Sequence, residues 1–183
     1  MKNYILLLCC FLVIACNDDV QIKPNAKLRL EYPAPVYKKV VTDCAYDFDV
    51  NKLARVIKTK NCGTRLSYPS MNAAVYITYQ KVRNNNLNSL LYDAQKLAYN
   101  HDRVAISIPE KLFENKDHNT YGVFYSINGD AASQSHFYLT DSLQNFVTGS
   151  LYFDVKPNFD SIYPAVVYLR RDIMHLMETL EWN

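Results

Sequence analysis

The first 16 residues form an export signal that ends in a cysteine, so the rest of the chain is expected to fold outside the cytoplasm. Lys2 gives the start a positive charge, and residues 4–14 are apolar and uncharged. Residues 13–16 read Val-Ile-Ala-Cys and are followed at once by Asn17 and two aspartates. A charged start, a short apolar run and small residues at the cut are typical of a secretory signal. The run is too short to span a bilayer.

The four residues that end at Cys16 resemble a bacterial lipobox, in which the cysteine is acylated on sulfur and becomes the new N-terminus. A thiol is needed there because it forms the thioether that carries the lipid. An ordinary signal peptide with a chance cysteine is the alternative. We expect residues 1–15 to be removed and Cys16 to carry the lipid. Several acyl chains anchor a protein stably to a membrane face without spanning it.

Composition predicts a short stalk and one folded domain. Residues 16–26 are polar and are expected to form the lipidated start and a flexible stalk, which reaches at most about 35 Å when extended. Residues 27–183 are long enough for a single globular domain. The chain has 20 Lys and Arg against 18 Asp and Glu, and its basic runs are only doublets. A nucleic-acid partner needs a clustered basic face, so none is expected.

The five cysteines divide into three groups. Cys9 and Cys10 leave with the signal, Cys16 takes the lipid, and Cys44 and Cys62 remain. An even pair in an exported domain predicts a structural disulfide bond. Two free buried thiols and a redox pair are the alternatives. There is no C-x-x-C spacing for redox chemistry, and two ligands do not complete a zinc site.

Alternation of apolar and polar residues predicts most of the strands. The predicted strands are residues 28–30, 46–50, 73–79, 103–108, 121–127, 134–140 and 146–155, with a further strand at 53–59 that pairs with 46–50. Val75, Ile77 and Tyr79 are expected on one strand face, with Tyr76 and Thr78 on the other. Residues 128–129 and 141–142 give turn signals.

Two stretches have the periodicity of amphipathic helices. The first follows capping candidates at 84–86 and runs to about residue 100; the second follows capping candidates at 158–161 and runs to about 181. Their apolar stripes are Leu87, Leu90, Leu91, Ala94, Leu97 and Ala98, and Ile162, Val166, Leu169, Ile173, Leu176 and Leu180. Runs of strands between two such helices predict an α+β fold, with a mostly antiparallel sheet covered by both helices. The element order resembles the PsbP/Mog1-type sandwich.

One trio of side chains has the composition of a metal site. Asp172, His175 and Glu178 are spaced to share one face of the second helix, and would bind a divalent ion if another ligand joined them. Such a trio more often forms a solvated polar face with local pairs. No further ligand is identifiable, so no metal site is predicted.

A second group has the residue types of a hydrolase. Ser133, Ser135 and His136 adjoin a turn near Asp130 and Asp141. The G-x-S-x-G motif is absent, and neighbours along a strand such as Ser135 and His136 point to opposite faces. A hairpin with solvated hydroxyl groups is therefore the prediction. No catalytic or cofactor-binding residue is expected.

Fifteen tyrosines are an unusual number for this length. Five of them lie on predicted strands, where an amphipathic ring suits a half-buried sheet: Tyr76, Tyr121, Tyr125, Tyr138 and Tyr152. Packing explains most of them. Aromatic surfaces also make good protein interfaces, so a minority are candidates for partner contacts.

Several stretches together resemble a known family. They are the lipobox at Cys16, Lys23-Pro24, the pair Cys44 and Cys62, and residues 86–94, 129–133, 137–142, 149–153 and 175–182. In this order along the chain they resemble the gliding-motility lipoproteins of the GldD type from Bacteroidetes. Residues 25–28 depart from the family pattern, which has a glycine and aromatics in the linker.

The resemblance implies a component of the cell-envelope apparatus for gliding and type IX protein secretion. Lipoproteins of that set are thought to build or stabilise the envelope part of the machine, so the expected partners are other gliding and secretion lipoproteins and envelope proteins. The expected location is a membrane of the cell envelope, with the outer membrane favoured over the inner one and the leaflet left open, and no enzymatic activity comes with the family. The alternatives are a lipoprotein that carries a small apolar ligand between helix and sheet, and a hydrolase. A deep aromatic-lined pocket would favour the first, and a nucleophile beside a base the second.

The anchor has a direct test. Cys16→Ala should release the protein from membranes, because no thioether forms and the lipid chains that hold it are lost. Fractionation of cells with detection of the protein measures this. Cys10→Ala, which lies inside the apolar run, is the matched control and should leave the protein in the membrane fraction. Unchanged fractionation of Cys16→Ala would contradict the anchor.

Overall fold

Over residues 30–183, which are those that the computed structural model describes, the chain forms twelve β-strands and two α-helices. In chain order they are β1 (Tyr37–Val40), β2 (Tyr46–Asn51), β3 (Arg55–Lys58), β4 (Thr64–Tyr68), β5 (Ala73–Lys81), α1 (Leu87–Tyr99), β6 (Ala105–Ser107), β7 (Glu110–Asn115), β8 (Thr120–Ser126), β9 (Asn128–Gly129), β10 (Ser133–Thr140), β11 (Asn145–Phe153), α2 (Phe159–Thr179) and β12 (Glu181–Trp182).

Seven of these strands form one large antiparallel sheet in the order β3-β4-β5-β11-β10-β8-β7. A small sheet contains β1, β2 and β12, and β6 pairs with β9. One face of the large sheet, the inner face, packs against α2 and the small sheet, and the opposite, outer face packs against α1. The predicted α+β fold, with a mostly antiparallel sheet and two helices, is confirmed. The likeness to the PsbP/Mog1-type sandwich stays a prediction.

β5 has the two-sided character that its sequence predicts. Val75 and Ile77 are buried in the inner core, whereas Tyr76 and Thr78 are exposed on the outer face. This follows because successive side chains of a strand point to opposite faces. The strands predicted at 46–50, 121–127, 134–140 and 146–155 correspond to β2, β8, β10 and β11.

The pairing predicted between residues 46–50 and 53–59 is wrong. β3 pairs with β4, where Val56 lies opposite Leu66, and β2 pairs with β1 and β12. The short link from β2 to β3 therefore passes from the small sheet to the large one. Alternation identifies a strand but not its partner, because the partner depends on which faces pack together.

Other elements also differ from their prediction. The strand predicted at 103–108 shortens to β6, and residues 128–129, predicted as a turn, form β9 and pair with it. Six strands rather than four separate the helices, and β1, β4, β7 and β12 have no predicted counterpart. Of the predicted first strand, residues 28–29 lie outside the described residues and Leu30 is not in a strand.

α1 lies on the outer face through the apolar stripe that its sequence predicts. Leu90, Ala94 and Ala98 are buried, and Phe146 and Tyr138 of the sheet meet this stripe. The helix covers residues of β8, β10 and the start of β11. The part of the outer face nearer β3 therefore lies beyond α1.

The two helices begin differently. α2 is capped as predicted, since Oδ1 of Asn158 accepts a hydrogen bond from the amide of Ser161. Asp130 accepts a second one from the first amide of the helix. At α1 the predicted cap is absent, because Oδ1 of Asn86 accepts a hydrogen bond from the amide of Arg83 in the preceding loop.

α2 fills the space between the small sheet and the inner face of the large sheet. Leu169, Ile173 and Leu176 are at most 2% exposed and belong to one core with residues of both sheets. Fully burying a side chain of this size stabilises the fold by about 1.5–3 kcal/mol. The helix is thus an apolar link between the sheets.

Arg170 anchors α2 to the connection between β8 and β10. Its guanidinium donates to the carbonyls of Ile127 (3.0 Å) and Gln134 (2.9 Å). It also donates to Oδ1 of Asn128 (3.0 Å) and Oγ of Ser135 (3.2 Å). Burial lowers the pKa of Arg170 to about 10, so the group remains charged at neutral pH. These hydrogen bonds hold α2 against the connection between β8 and β10.

A disulfide bond joins Cys44 to Cys62, with the Cα atoms 5.7 Å apart. It ties the start of β2 to the connection between β3 and β4. Completely buried Tyr46 donates a hydrogen bond to the carbonyl of Cys62, 2.8 Å away. Closing a loop of this length stabilises a fold by about 3 kcal/mol in the chain-entropy model. The disulfide therefore links the two sheets covalently.

Arg170→Ala should lower the free energy of unfolding by about 2–4 kcal/mol, because it leaves buried acceptors without a donor. Urea unfolding of the purified lipoprotein in detergent, followed by circular dichroism, measures this. The neighbouring exposed residue provides the control, since Arg171→Ala should change stability by less than about 0.5 kcal/mol. Equal losses in the two variants would contradict the anchoring role of Arg170.

Candidate functional site

The trio predicted to share one face of the second helix separates into different surroundings. Asp172 is 5% exposed and accepts hydrogen bonds from Tyr37 Oη (3.0 Å) and Asn51 Nδ2 (2.9 Å). The His175 ring stacks on Tyr37 with the centroids 3.6 Å apart, and Glu178 is exposed. The prediction of a solvated face is therefore wrong for Asp172. Within residues 30–183 no three His, Cys, Asp or Glu side chains are placed to hold a metal ion.

Asp172 acts as a structural acceptor. Burial raises the pKa of its carboxyl group, and hydrogen bonds from Tyr37, Asn51 and Tyr68 act in the opposite direction. The three donors come from β1, β2 and β4, which belong to two different sheets. The carboxylate therefore joins α2 to both sheets and offers no free lone pairs to a ligand.

The residues predicted to form a solvated hairpin are buried, so that prediction is wrong. Ser133, Ser135 and His136 are at most 2% exposed. The predicted opposite orientation of Ser135 and His136 is confirmed. Oγ of Ser135 accepts a hydrogen bond from Arg170 of α2, whereas His136 lies on the outer side against Ser150.

Ser150 and His136 are placed as a hydroxyl nucleophile and its base would be, with Oγ and Nδ1 2.6 Å apart. The carboxylates near them in sequence act elsewhere, since Asp130 caps α2 and Asp141 accepts hydrogen bonds from its own loop. Burial, and after it His101, lowers the pKa of His136 to about 4. Ser150 is only 8% exposed. The pair is therefore a packed polar contact whose hydroxyl is closed to a substrate.

The cavity enclosed between α2 and the two sheets is small. It has no room for a water-sized sphere and is lined by both apolar and polar side chains. Sites for small molecules usually measure about 300–1,000 Å³. The apolar-ligand alternative stays a prediction, and this cavity does not support it.

The uncovered part of the outer face carries an aromatic and polar surface. We call it the open face and define it by five residues: Arg65, Ser67, Tyr76, Thr78 and Tyr152. Strand register brings them together, since Arg65 lies opposite Tyr76, and Ser67 and Tyr152 flank Ala74 of β5 from either side. Tyr76 is 43% exposed although it lies at the middle of its strand.

A cleft of about 600 Å³ lies on the open face. It forms because the small Ala74 lies between larger neighbours. The rings of Tyr76 and Tyr152 meet edge to face with their centroids 5.8 Å apart. The guanidinium carbon of Arg65 lies 5.4 Å from the centroid of the Tyr76 ring, in the range of a cation–π contact. The lining residues are Arg65, Ser67, Pro69, Asn72, Ala73, Ala74, Tyr76, Tyr152, Phe153 and Asp154.

Sequence reasoning found some of these residues and missed others. The five strand tyrosines, Tyr76 and Tyr152 among them, lie in strands as predicted. Arg65 and the cleft were not predicted, because β4 was not. The alternation of Arg65 and Ser67 with the buried Leu66 and Tyr68 is the signal that would have placed β4 and its arginine.

The predicted anchor lies outside the part of the chain that the structure describes. Residues 1–15 and Cys16 are not among the described residues, so the signal peptide and the lipidation stay predictions. Between residues 30 and 183 neither helix has the length and apolar character needed to cross a bilayer.

The family described as gliding motility lipoprotein GldD matches residues 17–182. The chain therefore belongs to the GldD family, as its motifs predicted. This family is a motility component and not a known enzyme family. No curated protein matches the chain.

His136 predicts a pH dependence of stability. Its pKa is about 4 in the folded protein and about 6.5 in an unfolded chain. The unfolded chain therefore binds more protons between these values, and stability is lost as the pH falls from about 6.5 to about 4. Over this interval the unfolding free energy of the wild type should fall by up to about 3 kcal/mol more than that of His136→Asn.

Urea unfolding of both proteins across this pH range, in detergent, tests the prediction. A loss of packing in His136→Asn would shift the whole stability curve by the same amount at every pH. Parallel curves for the two proteins would therefore show that His136 is not the titrating group.

Proposed function

We propose that this protein is a lipid-anchored, non-catalytic component of the cell envelope that assembles or stabilises partner subunits of the gliding motility and type IX secretion machinery. Membership of the GldD family supports the gliding role. The export signal and lipobox-like sequence at Cys16 support the anchor. The partners are other gliding and secretion lipoproteins and envelope proteins.

In this proposal the lipid at Cys16 holds the domain at the outer membrane. Residues 1–15 are removed as the signal peptide, residues 16–26 form the stalk, and residues 27–183 form the domain. A stalk of this length reaches at most about 35 Å. The domain therefore works close to the membrane surface, where other anchored proteins are within reach.

The exposure of Tyr76 beside Arg65 and Tyr152 is the observation that carries the proposal. Tyrosine and arginine are enriched among the residues that dominate binding energy in protein interfaces. The edge-to-face contact between the two rings and the guanidinium above Tyr76 hold these groups in place before a partner arrives. Little side-chain freedom is then lost on binding.

The edges of the large sheet are less suited to partner binding than the open face. β3 is four residues long and has Arg55 and Lys58 at its ends. β7 carries Glu110, Lys111 and Glu114. Short edge strands and charged side chains oppose pairing with another strand. A partner is therefore expected on the face of the sheet.

Deletion of the gene should abolish gliding and type IX secretion together, because both depend on the assembly that the protein supports. Spreading of colonies and the amount of secreted protein in the medium measure the two activities. Normal secretion in the deletion strain would refute the role.

A single substitution on the open face tests the surface in the same strain. Tyr76→Ala should weaken partner binding by about 2 kcal/mol and restore gliding poorly, at a normal amount of protein in the membrane. Tyr92→Ala provides the matched control, since Tyr92 is 62% exposed on α1 and lies outside the open face. Equal gliding with both variants would place the partner on another surface.

A further inference from the structure

We infer that the open face binds a protein partner through an acidic side chain of that partner, and that Arg65 receives its carboxylate. The inference rests on the proposed function and adds the charge of the partner to it. Three observations support it: the distribution of charge along the chain, the position of that charge in the fold, and the lack of a carboxylate partner for Arg65 among the described residues.

Acidic residues are missing from one long stretch of the sequence. Residues 50–92 contain no aspartate or glutamate, although the whole chain has 18. The same stretch contains seven basic residues: Lys52, Arg55, Lys58, Lys60, Arg65, Lys81 and Arg83. They are spread out and form no run, so the bias is hidden in a chain whose total charges nearly balance.

The fold places part of this charge on the outer side of the large sheet. Residues 50–92 include β3, β4 and β5, which are neighbours at one edge of the large sheet. Arg55 lies opposite Ser67, and Arg65 lies opposite Tyr76. Residues directly opposite in neighbouring strands share a face, so both arginines lie on the outer side with the open face. Such a surface attracts a negatively charged partner and repels a positive one.

Most of these charges have no carboxylate partner among the described residues. Lys58 pairs with Asp43, 2.7 Å away. Across residues 30–183 the other six basic residues form no ion pair within 4.0 Å. Asp154 also lines the cleft, but it forms no ion pair with Arg65. The positive charge of the open face is therefore available to a partner.

Arg65 is prepared for a carboxylate. Its Nε is buried and has no hydrogen-bond acceptor among the described residues. Its guanidinium is held over the ring of Tyr76. A planar guanidinium binds a carboxylate through two parallel N–H donors, and such charge-assisted hydrogen bonds are stronger than neutral ones. Because Nε is closed off, a partner's carboxylate would bind at the Nη end of the guanidinium.

The shape of the surface favours a protein over an anionic membrane. The open face contains a cleft of about 600 Å³ whose walls include the Tyr76 and Tyr152 rings. A planar lipid surface does not enter a recess of this size, whereas a projecting acidic side chain does. Lipid headgroups would contact the rim and not the space beside Arg65.

Site-specific photocrosslinking in intact cells tests the inference with the full-length lipoprotein. Thr78→p-benzoylphenylalanine places the crosslinker on the open face, where Thr78 is exposed. Mass spectrometry of the crosslinked product identifies the partner peptide. The expected product is a protein segment with an aspartate or glutamate next to the crosslinked position.

Charge variants then test the role of Arg65. Arg65→Glu should lower the crosslinking yield about tenfold or more. Changing the partner's acidic residue to arginine should restore the yield in Arg65→Glu. Arg65→Met keeps the apolar stem and should lower the yield without changing the circular dichroism spectrum. Lys111→Glu, on β7 at the opposite edge of the sheet, is the matched control and should keep the yield within about twofold.

The outcomes separate this inference from the proposed function. A protein crosslink that is lost in Tyr76→Ala but unchanged in Arg65→Glu and Arg65→Met would leave the function standing and overturn the acidic contact. A crosslink to lipid alone would replace the protein partner by the membrane and overturn both. Loss of yield in Arg65→Glu with rescue by the charge-swapped partner would establish the contact.

Discussion

The burial of α2 between the two sheets is the interaction on which the rest of the structure depends. Its apolar residues enter one core with strands of both sheets. Arg170 donates hydrogen bonds to the connection between β8 and β10, and Asp172 accepts a hydrogen bond from Tyr37 of β1. A buried polar group without a partner is costly. Any rotation of the helix about its axis would break one of these two sets of hydrogen bonds. The two polar side chains therefore determine the orientation of the helix, and its apolar residues supply the stabilisation.

Because α2 and the small sheet occupy the inner face of the large sheet, the outer face has only α1 to cover it. α1 is shorter and packs over β8, β10 and the start of β11. Tyrosines of the same sheet then have different roles. Tyr138 is packed beneath α1, whereas Tyr76 is exposed beyond it. A surplus of strand tyrosines thus becomes core at one end of the sheet and an exposed surface at the other.

Local pattern predicted a large part of the fold. Both helices, their buried faces and the strands β2, β5, β8, β10 and β11 follow from periodicity, because it reports which side of an element is apolar. The pairing of β3, the cap of α1 and the solvation of Ser133 and Ser135 were predicted wrongly. The pairing of β3 and the burial of the two serines depend on partners far away in the sequence, whereas the cap of α1 is lost to a hydrogen bond between Asn86 and the nearby amide of Arg83. The candidate site was predicted only in part, since the tyrosines were identified and Arg65 was missed.

By itself, the sequence determined the family, the helical faces and the presence of a cysteine pair, because each is written in neighbouring or regularly spaced residues. Only the tertiary structure decided which tyrosines remain exposed, which arginine stands over Tyr76, and which basic residues of 50–92 lie on the outer side of the large sheet. Strand pairing and helix packing make these choices. They bring together residues that are distant along the chain, and no local pattern records which distant residues will meet.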